Sequence, residues 1–285
     1  MRNILFAAFA QPGSGKSSLA YTAKNPVVLD FDGGAYRAIG YDKNRTIPCP
    51  TWMDAMGAKD LFSKYDTVVI DTIGNAIEAL IQDVVPSNSY FGSVEDPTPQ
   101  GWGRVRSKFL DWYIYLMNSG KDVVFLSHVG EYQGADGNIV QRLKCRGASR
   151  SLIEEKADTI ARIRVEGSDR FLAFDPASSN YCKDVGISDV RINPANPFQL
   201  AHVIDGIRNT IETKNREMVE ERQLVIEISE AVEKAEDVDA LNAVSTRAIE
   251  ITAPSFIFAS LHHRAKEMGL TWDASQKLFQ DSREG

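Results

Sequence analysis

Short runs of apolar residues recur along the first two thirds of the chain, separated by longer segments of mixed polarity. Their length and their glycine, proline or aspartate borders favour buried β-strands. The runs are Ile4–Phe9, VVLDFDGG, DTVVIDTIG, KDVVFLSH, DTIARIRVEG and RFLAFDP, with helical patterns near Gly74–Val85 and Gly103–Ser119 between them. Continuous apolar strands alternating with amphipathic helices predict an α/β fold whose mainly parallel sheet is covered on both faces. The last two strands, joined through EGSDR, predict an antiparallel hairpin at the sheet edge.

The pattern changes near Asn193–Pro197, after which apolar residues recur at helical spacing. About three to four helices are predicted to form a small appended bundle or arm. The sequence therefore predicts a core over residues 1–196 and a helical C-terminal region over residues 197–285. The positions with helical spacing are Leu200, Val203, Ile204, Ile207 and Ile211, followed by Leu241, Val244, Ala248 and Ile251.

The composition, 285 residues with 43% hydrophobic and 25% charged residues, is that of a globular protein. Most of the net charge of −7 lies after Leu200, where 16 acidic residues oppose 10 basic ones. The nearly neutral N-terminal part leaves room for a local basic strip. No apolar run reaches the ~18 residues that cross a bilayer, and the N-terminus enters a strand directly, so we expect a cytoplasmic protein without a membrane partner. The cysteines Cys49, Cys145 and Cys182 form no C-x-x-C pair, which predicts neither disulfides nor a zinc site.

The first strand leads into AQPGSGKS, Ala10 to Ser17, which fits the P-loop pattern G-x-x-x-x-G-K-[ST] with alanine in place of the first glycine. A tight turn over Pro12–Gly15 and a helix over Ser17–Ala23 are predicted. Backbone N–H groups of such a loop cradle phosphates, while Lys16 reaches the terminal phosphates and Ser17 ligates Mg²⁺. The sequence therefore predicts binding of ATP and Mg²⁺. The predicted nucleotide-binding residues are Gln11, Pro12, Gly13, Ser14, Gly15, Lys16, Ser17 and Ser18.

A second motif, TVVIDT, ends a predicted buried strand in Asp71. A carboxylate in that position lies beside the P-loop and can hold the Mg²⁺ shell, as a Walker B aspartate does. Ser17 and Asp71 are therefore the predicted metal-binding residues. The alternative is a strand-end aspartate that caps the following helix.

Together, AQPGSGKSSLA, VVLDFDGG, TVVIDTIG, QGWGRVRSKFLDWYIYL and DVVFLSH resemble the RecA-like ATPases of bacteriophages. This is the phage nucleotide-binding protein group that includes Sak-type single-strand annealing and recombination ATPases. The resemblance covers about residues 3–200 and implies a RecA-like P-loop NTPase core in the host cytoplasm.

The resemblance also implies two further catalytic residues beside Lys16 and Asp71. An acidic residue after the second strand orients the attacking water in RecA-like cores, and Asp32 matches that position, although glutamate is more frequent there. Asp30 is the competing candidate, and a turn aspartate is the alternative. His128, at the end of the fourth strand, matches a sensor of the γ-phosphate; the alternative is a histidine bonded to a neighbouring carbonyl.

The segment after His128 is basic, with Arg142, Lys144 and Arg146 in RLKCRG. These side chains are candidates for DNA phosphate contacts or for an arginine finger acting on a neighbouring subunit. The alternative is a solvated hairpin face. Loop aromatics Tyr90, Phe91 and Trp102 are candidates for base stacking or for packing beneath the loop, and Arg170 and Lys183 are weaker candidates for nucleotide contacts.

We therefore expect a Mg²⁺-dependent ATPase of phage DNA recombination or replication that single-stranded DNA stimulates. The expected partners are single-stranded DNA, further copies of the chain in a ring or filament, and a phage single-strand binding protein or helicase. The alternatives are a P-loop nucleoside or nucleotide kinase and a helicase-loader-like switch acting on a protein. An arginine-rich lid of the kinase kind is not evident, since the first 100 residues contain only Arg2, Arg37 and Arg45.

Overall fold

The computed structural model describes residues 2–85, 90–134, 137–177, 179–193 and 195–281. Over these residues the chain forms two compact units, Met1–Ile211 and Glu212–Gly285. Each unit has its own apolar core. The first unit carries the predicted nucleotide site.

The first unit is built on a mostly parallel sheet of nine strands, which confirms the predicted fold class. The strands are β1 Leu5–Ala10, β2 Pro26–Asp30, β3 Thr46–Pro48, β4 Thr67–Asp71, β5 Asp122–Gln133, β6 Ile139–Leu143, β7 Thr159–Glu166, β8 Asp169–Ala173 and β9 Val190–Arg191. Their order is β3-β2-β4-β5-β1-β7-β8-β9, and β6 pairs with the C-terminal part of β5, from Val129 to Gln133. From β3 to β7 every neighbour is parallel, and β6, β8 and β9 are antiparallel to theirs.

Successive residues of the central strands belong to opposite faces of the sheet. Leu5, Ala7 and Phe9 pack on one side, while Ile4 and Phe6 pack on the other. All five are fully buried, as expected for a parallel sheet with helices on both faces. The first unit contains the helices α1 Lys16–Ala20, α2 Trp52–Gly57, α3 Ile73–Val84, α4 Pro99–Asn118 and α5 Ser149–Lys156, and the start of α6 Gln199–Lys234.

The two compact units divide later than the boundary predicted after residue 196. Leu200, Val203, Ile204 and Ile207, at the start of α6, pack in the core on the P-loop side of the sheet. The predicted helical spacing is present, but the apolar face belongs to the first unit. Helical periodicity shows which face of a helix is buried and does not show which core receives it.

The second unit contains the rest of α6, α7 Val238–Glu250 and α8 Ser255–Glu267, together with an antiparallel hairpin of β10 Leu270–Asp273 and β11 Leu278–Asp281. The prediction of helices alone missed this hairpin. The Asn242 side chain donates to the Phe279 oxygen at 2.9 Å and accepts from the Phe279 N–H at 2.6 Å. These hydrogen bonds attach β11 to α7.

The three cysteines are buried free thiols. Burial raises the pKa of Cys49 and of Cys145 to about 12, so both remain protonated at neutral pH. None of the described helices combines the length and apolar character that a membrane span requires.

Candidate nucleotide-binding site

The loop between β1 and α1 takes a backbone conformation that its glycines permit. Gly13 and Gly15 have φ values of +76° and +93°, a region that residues with a Cβ rarely occupy. Ala10 is the last residue of β1 and does not have a positive φ. The backbone at this position therefore does not require the glycine that is usual there.

The Lys16 side chain is folded into this loop. The residue is 6% exposed, and its Nζ donates to the backbone oxygens of Ala10 and Gln11 at 3.4 and 3.3 Å. Burial lowers the pKa of the Lys16 ammonium, while the negative charges of Asp71 and Asp32 act in the opposite direction. The loop thus holds a poorly solvated cation at its centre, a favourable setting for a polyanionic ligand.

The two residues predicted to hold Mg²⁺ contact each other behind the loop. Ser17 Oγ donates a hydrogen bond to Asp71 Oδ2 at 2.5 Å. Asp71 is 1% exposed, and its Oδ1 has no hydrogen-bond partner among the described residues. Burial raises the pKa of Asp71 to about 6; the Ser17 hydrogen bond opposes this shift, and the charges of Asp32 and Asp30 add to it.

This pair fits a hard divalent cation, because Mg²⁺ prefers oxygen ligands and the buried Asp71 oxygen is otherwise unsatisfied. Ser17 and Asp71 provide one hydroxyl and one carboxylate. Within the described ranges no cluster of three or more His, Cys, Asp or Glu side chains could hold a metal ion. Completing the shell with water and phosphate oxygens is the usual arrangement for Mg²⁺ in nucleotide sites.

The two aspartates after β2 have different surroundings. Asp30 is 8% exposed and accepts hydrogen bonds from the backbone N–H groups of Asp32, Gly34 and Ala35 at 3.2, 3.3 and 3.0 Å. It therefore organises the turn. The Asp32 carboxylate instead lines a cavity of about 240 Å³ together with Lys16. Of the two aspartates, Asp32 lines this cavity and Asp30 does not.

His128 lines the same cavity. Strand register pairs it with Ala10. β5 therefore brings His128 to the carboxyl-terminal ends of the parallel strands, where the P-loop begins. Its Nδ1 lies 3.5 Å from Lys16 Nζ, and its Nε2 lies 3.4 Å from Asp32 Oδ2. The ring thus connects the loop cation with the carboxylate, and an imidazole in that position can exchange hydrogen-bond partners.

Two residues of this site were not identified from the sequence. Asn75 Nδ2 donates to Asp32 Oδ1 at 2.6 Å, which fixes the orientation of that carboxylate. Ser127 is fully buried, and its Oγ donates to the His128 oxygen at 2.9 Å and accepts from the Lys144 N–H at 2.9 Å. Both are polar residues in otherwise apolar elements next to a motif, and that signal could have identified them.

The three basic candidates, Arg142, Lys144 and Arg146, differ in whether their side chains are available to contact DNA or a neighbouring subunit. Arg142 forms two hydrogen bonds with Glu154, a carboxylate whose side chain is only 4% exposed. Arg146 donates to the Glu78 carboxylate at 3.0 Å and to the backbone oxygens of Val94 and Glu95 at 3.3 and 3.0 Å. These two arginines therefore join elements of the fold.

Lys144 differs from its neighbours because its side chain is exposed. Its backbone N–H donates to the His128 oxygen at 3.0 Å. A Cβ added to Gly74, the second residue of α3, would come within 2.5 Å of the Lys144 oxygen. Lys144 is thus a surface cation on a backbone held closely against the site.

The loop aromatics differ in exposure. Trp102 and Phe91 are partly buried against the core, and the Trp102 ring lies 5.3 Å from the Arg146 guanidinium carbon. Tyr90 is 76% exposed. Residues 86–89 of the same loop lie outside the described ranges.

The two weaker candidates for nucleotide contacts, Arg170 and Lys183, are bonded to different parts of the protein. Arg170 Nε donates to the Ser14 oxygen at 3.0 Å, so this side chain braces the P-loop. Lys183 Nζ donates to the backbone oxygens of Glu155 and Ala157 at 3.1 and 2.5 Å. Lys183 is therefore engaged at the end of α5.

Two predicted nucleotide-binding hydroxyls have partners within the protein. Ser14 Oγ donates to the Gln11 oxygen at 2.7 Å. Ser18 Oγ accepts a hydrogen bond from the Ile39 N–H at 3.0 Å. Pro12, Gly13, Gly15, Lys16, Ser17 and Ser18 all line the 240 Å³ cavity.

Comparison with known protein families assigns the chain to a family. Residues 2–185 match the model of a family described as an AAA domain. Since the match covers more than half of the chain, the protein belongs to that family. Its first unit is a P-loop ATPase domain.

The chain is also similar to a solved structure, the flagellar accessory protein FlaH from Methanocaldococcus jannaschii. The similarity covers 59% of this chain and 75% of FlaH, at 10% sequence identity and a TM-score of 0.33. At that score it adds nothing to the sheet topology described above. No curated protein matches the chain.

Proposed function

We propose that the protein hydrolyses ATP with Mg²⁺ and couples this reaction to single-stranded DNA during phage DNA recombination or replication. The observation that carries the ATPase part is the meeting of Lys16, Asp32 and His128 around one cavity, with the Ser17–Asp71 pair beside it. Phosphoryl transfer to water needs little beyond positioning and charge stabilisation. These side chains can provide both.

Each residue has a defined part in this proposal. Lys16 stabilises the charge of the phosphate oxygens, and Ser17 and Asp71 would hold Mg²⁺, which when bound supplies further charge neutralisation. Asp32 orients the attacking water and accepts its proton. Asn75 keeps the Asp32 carboxylate in place, and His128 donates a hydrogen bond toward the terminal phosphate.

The DNA part of the proposal rests on the hairpin of β5 and β6. His128 and Lys144 are joined by a backbone hydrogen bond of 3.0 Å, and the Ser127 hydroxyl bonds to both residues. Because these bonds are made by the backbone oxygen of His128, a shift of that residue would move the backbone that carries an exposed cation. That arrangement supports coupling between the state of the nucleotide and contact with a DNA phosphate.

The main experiment measures phosphate release from ATP with and without single-stranded DNA. We expect Mg²⁺-dependent release that DNA increases, without a phosphorylated acceptor. Stoichiometric transfer to a nucleoside or nucleotide would instead support a kinase. ATP-dependent binding to a replicative helicase, without affinity for DNA, would support a loader.

Lys144→Gln tests the DNA contact. Each lost phosphate contact reduces the steepness of the plot of log affinity against log salt by about 0.7 for a single strand. The variant should therefore bind DNA more weakly and with a weaker dependence on salt. Lys43→Gln, at an exposed lysine on another loop, is the matched control. Arg142→Ala is less informative because it leaves the buried Glu154 carboxylate without its partner. Equal DNA affinity and slope for both lysine variants would contradict the assigned contact.

We also propose that the chain assembles into a ring or filament and acts with a phage single-strand binding protein or helicase. The sequence resemblance to recombination ATPases supports this. Light scattering with a non-hydrolysable ATP analogue and DNA should show a mass several times that of the chain. A monomer under all these conditions would contradict assembly.

A further inference from the structure

Arg37 is a second cation at the phosphate cavity, in a segment without a recognised motif. It ends the 3₁₀ turn Ala35–Arg37. Its side chain lines the 240 Å³ cavity that contains Lys16 and also a neighbouring cavity of about 630 Å³. Both cavities also include Gly13 and Gly15 of the P-loop. Arg37 therefore shares both cavities with the P-loop.

We propose that Arg37 binds the phosphate chain of the nucleotide together with Lys16, from within the same chain. This inference rests on the proposed ATPase function and extends it to a residue outside the P-loop.

The turn that carries Arg37 is attached to the site on both sides. Before it, the Asp30 carboxylate accepts from the Ala35 N–H at 3.0 Å. After it, the Ile39 N–H donates to Ser18 Oγ at 3.0 Å. The backbone around Arg37 is thus held to the end of β2 and to α1, and a binding group on such a support loses less freedom when it contacts a ligand.

The guanidinium is available for an anion. Among the described residues, no carboxylate lies within ion-pair distance of Arg37. The guanidinium packs against Gly34, where an added Cβ would lie 2.5 Å from Nη2, and against Tyr36, whose hydroxyl lies 3.4 Å from Nη1 and whose ring centre lies 5.1 Å from Cζ. Arg45, which lines the larger cavity, is instead paired with Asp42 at 2.9 Å.

The charge of the site explains why a second cation is needed. Lys16 is one cation, whereas two acidic groups are near it: Asp32 lines the same cavity, and Asp71 lies next to it, bonded to Ser17. A phosphate chain adds several negative charges. Mg²⁺ offsets part of this excess, and a guanidinium offsets more because its planar fork can bond two phosphate oxygens at once.

The test compares Arg37→Ala, Arg37→Lys and the control Arg45→Ala with the wild type. Titration calorimetry measures binding of Mg²⁺–ATP and of inorganic tripolyphosphate, and thermal melting checks the fold. Loss of a charge-assisted hydrogen bond predicts about a tenfold to hundredfold weaker affinity for both ligands in Arg37→Ala. Arg37→Lys should recover part of that loss, and Arg45→Ala should stay within about twofold of the wild type.

The proposal is overturned if Arg37→Ala binds both ligands within twofold of the wild type. It is also overturned if only ATP binding weakens, which would assign Arg37 to the nucleoside, or if Arg45→Ala loses as much affinity. A wild type that binds both ligands but releases no phosphate would refute hydrolysis and leave the Arg37 contact standing. A wild type that binds neither ligand would refute both.

Discussion

Replacing Asp71 by asparagine should make the metal-free protein more stable at neutral pH while removing its use of Mg²⁺. Asp71 is almost completely buried, and one of its two oxygens has no hydrogen-bond partner among the described residues. Without a cation, its negative charge at pH 7 is therefore costly. Asparagine keeps the shape and can still accept the Ser17 hydrogen bond, and it carries no charge.

The size of the effect follows from the pKa of Asp71, which burial raises from its ordinary value of 3.8 to about 6. Well below pH 3.8 the carboxyl is protonated in both the folded and the unfolded chain, so its charge costs nothing. As the pH rises from there, the unfolded chain loses this proton first and stability falls. Above about pH 7 the loss is constant, at about 3 kcal/mol from 1.36 kcal/mol per pKa unit. For a unit of this size that is about 6–12 °C in melting temperature.

The assay is thermal unfolding in a chelator at several pH values from 4.5 to 8. Asp71→Asn should gain melting temperature over the wild type as the pH rises, with most of the gain reached by about pH 7. Asp30→Asn is the matched control, since that carboxylate accepts three backbone hydrogen bonds and its loss should cost about 1–3 kcal/mol. A constant difference between Asp71→Asn and the wild type across this range would refute the reasoning. Mg²⁺ with ATP should stabilise the wild type more than Asp71→Asn.

Three further substitutions test other parts of the structure. Lys16→Ala should keep the fold and abolish phosphate release; normal turnover in the folded variant would remove the nucleotide site. Asp32→Asn should retain ATP binding and lose most of the turnover by steady-state assay, whereas a silent Asp32→Asn would return the water-orienting role to Asp30. Ile207→Ala should lower the stability of the first unit by about 2–5 kcal/mol in urea unfolding, because Ile207 is fully buried in that core; an unchanged midpoint would argue for the boundary after residue 196.

The central strands could be predicted because their apolar runs are continuous and are bounded by polar or turn-forming residues. Shorter elements lack that signal: β3 has three residues, β9 has two, and the β10–β11 hairpin has two strands of four. β3 and β9 pair with strands that lie across long connections in the chain, and local pattern cannot reveal such neighbours. The β10–β11 hairpin is local, but its strands are too short to give a clear alternating pattern.

The residues of the candidate site also fall into those that the sequence could predict and those that it could not. Lys16 and Ser17 follow from the spacing of the P-loop, since the chemistry is carried by consecutive residues. The partners of Arg142 and Arg146, by contrast, are Glu154 and Glu78, and only the folded chain brings them together. A basic run in a sequence therefore does not show which of its charges remain available.

The position of Lys16 has a consequence for the kinetics of nucleotide binding. Its ammonium contacts the backbone oxygens of Ala10 and Gln11 and the imidazole of His128. The rotamer freedom of a lysine side chain, about 2 kcal/mol, is therefore largely lost when the chain folds and need not be lost again on binding. Association should then follow a single bimolecular phase without a slow rearrangement of the loop, at the ordinary rate of about 10⁵–10⁷ M⁻¹s⁻¹. Differences in affinity between nucleotides would accordingly arise in how fast they leave.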